Sequence, residues 1–172
     1  MNKPVETSGS ARTALDPTGV EKLVASGKVY GPLNGLYEYW KQQRGVDLMP
    51  QQGAFVGEGL LRWWSHLCVV TLEDVPQRFR IMEIGLECLR FHRSDPTGKR
   101  LDDILVAEGR EWLLESYRHC ARTGRPSFNV ETITGRGGRP EMLTRLLLPV
   151  ARGVRVSAIV SALYLRPCPR GK

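Results

Sequence analysis

At 172 residues with 41% apolar content, the chain is sized for one ordinary domain with a sizeable core. Its formal charge of +7 suits phosphate binding, yet the arginines alternate with acidic and apolar residues, and the densest group, Arg136, Arg139, Arg145, Arg152 and Arg155, falls around expected hairpins without a helix-turn-helix or aromatic platform, which disfavours nucleic acid. Four scattered cysteines, no apolar leader behind Met1 and no run of ~20 apolar residues point to a soluble cytoplasmic protein with reduced thiols and no membrane span.

Residues 1–17 are rich in Ser, Thr, Pro and Gly, too poor in apolar bulk to offset the entropy of ordering. The expected organisation is a largely disordered arm over 1–30, a domain over 31–166 and a flexible tail over 167–172. Leu33, Leu36, Tyr37 and Trp40 share one helical face, with Asn34 near the start and Gly45 as a stop. After a loop through Pro50 and Gly53, Leu60, Leu61, Trp63 and Trp64 supply bulk to a second short helix.

The runs 68–75 and 78–84 read as a hairpin. In the second, Phe79 and Ile81 share a face, but Met82 and Ile84 then fall on the arginine side. Either that end is buried on both faces or a bulge shifts the parity. From Gly85 the pattern turns helical, passes a turn at Asp95-Pro96-Thr97-Gly98, and reaches a long helix at about 107–123 with Leu113, Tyr117 and Cys120 on one stripe, ended by Gly124 before Pro126. Three strands follow at 127–134, 140–150 and 154–165, with short connections that favour antiparallel neighbours. The last is apolar on both faces, as suits the middle of a sheet. The fold class is α+β, an antiparallel sheet with helices packed on one face and an N-terminal flanking helix.

The stretch Leu36-Tyr37-Glu38-Tyr39-Trp40 with Arg44 and Pro50, then Phe79-Arg80 leading to Gly85, Thr97-Gly98-Lys99, Gly124-Arg125-Pro126 and Leu146-Leu147-Leu148-Pro149 resembles a family of small stand-alone PAS-like proteins common in alphaproteobacteria. The resemblance covers about residues 33–166. It implies a five-stranded antiparallel sheet in the order 2-1-5-4-3 and a cavity between the sheet and the middle helices, and it implies no established activity. One segment departs from the pattern: relatives usually carry an Asp-Pro pair before the second helix, where this chain has Phe55-Val56-Gly57-Glu58-Gly59.

The chemistry-bearing residues favour structural readings. Cys88 and His92 are four apart on a helix, and His66 with Cys68 or His119 with Cys120 could complete a metal site, but none has the tight Cys and His repeats of zinc sites. No metal is expected. Some PAS domains hold haem through a histidine on the long helix, which makes His119 a candidate and His92 a second; neither comes with a demonstrable apolar slot. Light-sensing relatives place a reactive cysteine in an Asn-Cys-Arg-Phe context, whereas Glu87-Cys88-Leu89-Arg90-Phe91 lacks the Asn. Gly98-Lys99 lacks the spacing of a phosphate loop, no Gly-x-Ser-x-Gly elbow is present, and Glu83, Glu87 and Asp102-Asp103 read as strand-end and cap residues. Enzyme catalysis is the weakest reading, and no cofactor is named.

The expected role is a non-enzymatic sensory or regulatory domain that binds a small molecule and signals through homodimerisation or a partner signalling protein. The expected pocket is lined by Phe79, Ile81, Leu86, Phe91, Leu113 and Tyr117. Tyr37, Tyr39 and Trp40 form an aromatic edge with two readings, a cover over an open side of the sheet or a dimer or partner contact. The alternative role is a ligand-free interaction module of the same fold with a filled core, marked by exposure of Tyr39, Trp40, Trp63 or Trp64.

Overall fold

The computed structural model describes residues 12–15, 30–73, 78–92, 94–105, 107–134 and 138–168; of residues 12–15, 107 and 108 it describes the backbone alone. Six antiparallel strands, β1 (Arg12–Leu15), β2 (Leu67–Glu73), β3 (Arg78–Ile84), β4 (Ser127–Thr134), β5 (Pro140–Arg152) and β6 (Arg155–Pro167), form one sheet in the order β1-β4-β5-β6-β2-β3. Counted from the first hairpin, β2 to β6 lie in the order 2-1-5-4-3, the PAS-like arrangement. β1 is an addition. The arm expected to lack structure contributes this edge strand, with Arg12 opposite Glu131 and Leu15 opposite Phe128. Backbone pairing to an open sheet edge needs no apolar bulk, so the composition of the arm gave no sign of it. Residues 1–11 and 16–29 of the arm and residues 169–172 of the expected tail lie outside the described residues.

The sheet is covered on both faces because its central strands alternate apolar side chains to both sides. On β6, Ala158, Val160, Ala162 and Tyr164 face one layer while Ile159 and Leu163 face the other; on β5, Leu146 and Leu148 oppose Leu147. The first layer comes from the segment before the hairpin: helix α1 (Gly31–Arg44), the single turn α2 (Gln52–Phe55) and a 3₁₀ helix (Glu58–His66). The stripe Leu33, Leu36, Tyr37 and Trp40 is buried, and Gly45 ends α1 with a positive φ. Trp40 Nε1 donates to Pro149 O (2.8 Å) and Trp63 Nε1 to Pro32 O (2.9 Å), so each indole buries its ring with its donor satisfied. Each such ring contributes roughly 1.5–3 kcal/mol of transfer free energy, before the entropy of fixing it.

The second layer comes from the segment between β3 and β4: the single turns α3 (Leu86–Leu89) and α4 (Leu101–Ile104) and the long α5 (Ala107–Thr123). Leu113, Tyr117 and Cys120 of α5 are buried against the opposite face. The parity problem in β3 resolves as a bulge: Val69 pairs with Glu83 and Val70 with Ile81, leaving Met82 without an opposite residue. Met82 faces solvent, and Ile84 returns to the side of Ile81. At Gly85 the chain passes so close to the 3₁₀ helix that a β-carbon would lie 2.1 Å from Trp64 O.

The outer edge of β3 is closed by the 96–99 turn. Gly98 N donates to Ile81 O (2.8 Å) and Ile81 N to Lys99 O (3.0 Å), while the Asp95 carboxylate accepts from Thr97 N (2.9 Å). Glu73 receives Arg80 Nε (2.6 Å) and Arg100 Nε (2.7 Å) on its two oxygens, tying the turn to the hairpin. The two guanidinium groups hold the Glu73 carboxyl below its usual pKa, the Arg80 hydrogen bond being the largest cause.

Candidate ligand cavity

A cavity of about 190 Å³ lies between the second layer and the sheet. Helical and strand periods converge on it. From α5 come Gly109 and, at spacings of three and four along one stripe, Arg110, Leu113 and Tyr117. From the sheet come Ile81 and Ile84, whose common side depends on the bulge, then Glu131 and Ile133 of β4 and Leu143 and Arg145 of β5, each pair two residues apart. Cys68, Leu163 and α4 residues complete the wall, with Cys88, Phe91 and His92 at the α3 end.

Of the six residues expected there, Ile81, Phe91, Leu113 and Tyr117 line the cavity. Phe79 does not; it is buried behind the wall, its ring 5.4 Å from that of Tyr117. Leu86 is a correction: it is 67% exposed, because α3 is one turn that points Cys88 inward and so turns Leu86 away. The aromatic edge takes the first of its two readings within the chain. Tyr37 and Trp40 are buried within the chain's own first layer, with Tyr39 half-buried against Phe55 and Trp63, so these rings cover the sheet.

Sequence reasoning missed the polar part of the wall. Arg145 belongs to the dense arginine group that the sequence places around hairpins, yet it sits mid-strand in β5, 7% exposed, opposite Asn129. Glu131 is 9% exposed. The available signal was alternation: Leu143, Arg145 and Leu147 share one side of a strand whose neighbours are apolar throughout.

Burial sets the protonation of the other polar groups. It pushes the Cys68 thiol and the Tyr117 phenol well up, and the Cys88 thiol up to about 12. Desolvation, and then the charge of Arg145, pulls His92 below the ordinary imidazole value, with Asp95 opposing. At neutral pH the thiols, phenol and imidazole are therefore uncharged. Arg110 is held by Leu105 O, which accepts from Nε (2.9 Å) and Nη2 (2.7 Å). Among the described residues no group of three or more Cys, His, Asp or Glu side chains is placed to hold a metal ion. His119 lies outside the cavity wall, and His66 stacks on Tyr164 with Nδ1 3.0 Å from Leu163 O. Asp102 pairs with Arg78 (3.5 Å) and Glu87 with Arg90 (2.7 Å), as surface ion pairs. No described helix is long and apolar enough to cross a membrane.

No family model and no curated protein matches the chain. Among solved structures it is similar to one described as "Structure of an RNA-binding Light-Oxygen-Voltage Receptor", at 16% identity and a TM-score of 0.43, over 62% of this chain. The match spans 32% of that receptor chain. The strand order described above, rather than this distant likeness, carries the fold.

Proposed function

We propose that the chain is a PAS-like sensory or regulatory domain that takes up a small molecule in the cavity between β-sheet and α5, and passes occupancy on through homodimerisation or a partner protein. The cavity itself carries the reading. It is lined by strands from both halves of the sheet and by all three helices of the second layer, so an occupant would touch every element of that layer at once. The thiols that line it are buried and held in the neutral form, which disfavours a role for them as nucleophiles. The filled-core interaction module is the weaker alternative, since Trp40 and Trp63 are buried and Tyr39 and Trp64 half-buried.

Native mass spectrometry of the gently purified protein tests the reading. The expected result is an adduct that leaves on denaturation, or one that forms when small apolar compounds are added. A bare mass under both conditions would overturn it.

A further inference from the structure

The sheet face that floors the cavity continues beyond it. On β5, Arg145 and Leu143 line the cavity, and Glu141, the next residue on the same side, lines a second groove of about 270 Å³ bordered by the exposed Arg90 and Leu165. On β6, Leu163 lines both spaces, and Leu165, again two residues on, lines the outer one. The register sets Arg145 opposite Leu163 and Leu143 opposite Leu165, so one face of the sheet runs unbroken from the inner space to the outer.

Among the described residues, Phe91 and Leu163 are the two that belong to both walls. They stand between the two spaces, and they are held differently. Leu163 is fixed in the sheet opposite Arg145, with its carbonyl oxygen 3.0 Å from His66 Nδ1. Phe91 follows the single turn α3. Its backbone N donates to Cys88 O (3.2 Å), and the Cys88 side chain is buried in the inner wall, so the backbone is anchored while the ring is only half-buried. A partly exposed ring changes rotamer without unpacking a core.

The two spaces differ in chemistry. Aliphatic side chains such as Ile84, Leu113 and Ile133 dominate the inner wall, whereas the outer groove places Glu87, Arg90, Glu141 and His66 beside Leu165. Size matters as well. An engineered cavity of roughly 150 Å³ accepts benzene, so about 190 Å³ holds roughly eight non-hydrogen atoms on the same scale. A longer molecule has to reach past Phe91.

Deepening the ligand-binding reading above, on which it rests, we propose that the outer groove is the second half of the site. The occupant is a linear molecule with its aliphatic chain in the inner cavity and a polar, hydrogen-bonding end in the outer groove. Phe91 sets the length that is accepted, because rotation of its ring closes or opens the passage between the two halves.

Toluene and 1-decanol separate the parts of this proposal, since toluene fits the inner cavity alone and 1-decanol is too long for it. Each is titrated into methyl-labelled protein and followed by NMR. Toluene is expected to shift the methyl resonances of Leu113 and Ile133 without those of Leu165, and 1-decanol to shift Ile133 and Leu165 together. Phe91→Ala is expected to bind 1-decanol at least ten-fold more tightly, as no ring has to be displaced, and Phe91→Trp at least ten-fold more weakly, with smaller changes for toluene. A 1-decanol titration that shifts only one of Ile133 and Leu165, or a Phe91→Ala chain that binds 1-decanol no better, would overturn the two-part site and leave the ligand-binding reading intact. Failure of toluene and 1-decanol alike to shift any inner-cavity resonance would overturn both. If Phe91→Ala loses its dispersed spectrum, the pattern of methyl groups shifted in the unmodified chain still decides.

Discussion

The two faces of the sheet are built from the same strands and are used differently. On the α1 face, Leu33, Leu36, Phe55, Leu60 and Trp40 are at most 3% exposed, and both buried indoles donate to backbone carbonyls. On the α5 face the packing leaves about 190 Å³ open and places two arginines, a glutamate, two thiols and a histidine around it. A core filled by large rings with satisfied donors contributes stability; a face that keeps volume and buried polar groups gives some of that up. The α1 layer thus anchors the sheet, while the α5 layer keeps open volume against it.

Truncation gives the largest effect that could break this contrast. Trp40→Ala removes a buried ring and its hydrogen bond to Pro149, and is expected to cost roughly 3–5 kcal/mol in urea unfolding. Leu113→Ala, which merely enlarges an existing cavity, is expected at the low end of the roughly 2–5 kcal/mol range for such changes. Equal costs would mean that the two faces are packed alike. A smaller effect sharpens the point: Leu113→Phe places extra volume in the open space, so stability should stay within about 1.5 kcal/mol of the parent, while the small-molecule adduct expected in native mass spectrometry is lost.

The smallest effect concerns pH. His92 takes up its proton at a lower pH in the folded chain than the ordinary 6.5, so below that value the unfolded state binds more protons than the native state. Stability should therefore fall as pH drops through 6.5 toward the depressed folded value. The groups acting on the imbalance are Arg145, which opposes protonation, and Asp95, which favours it. Thermal melts of the parent and His92→Phe between pH 7.5 and 5.5 should differ in slope, the parent falling more steeply. Parallel curves would show that His92 is not desolvated against the cavity.

The fold was legible where one periodicity persisted over a whole element. The α1 stripe, the long helix and the three closing strands show it, and even the bulge announced itself as a break in parity at Met82 and Ile84. Legibility failed where the deciding factor was not in the local pattern. The pairing of β1 to β4 depends on a free backbone edge, which leaves no mark on side-chain composition. Leu86 was misplaced because a single helical turn has no repeat from which to read its phase. Arg145 was visible as a residue but not as a buried one, since burial there follows from the layer laid over the middle of β5. The cavity itself is a difference between the volume enclosed and the volume filled, and apolar residues alone do not encode that difference.

The strand at 12–15 has a consequence for assembly of the chain. Its partner begins at Ser127 and its contacts close a loop of more than a hundred residues, so it docks onto a β4 that the rest of the sheet has already ordered. Until it does, or whenever it detaches, Phe128 to Glu131 offer an unpaired row of amides and carbonyls along the side of the molecule. The strand at 12–15 is thus what covers that row, and its pairing to β4 closes the edge of the sheet.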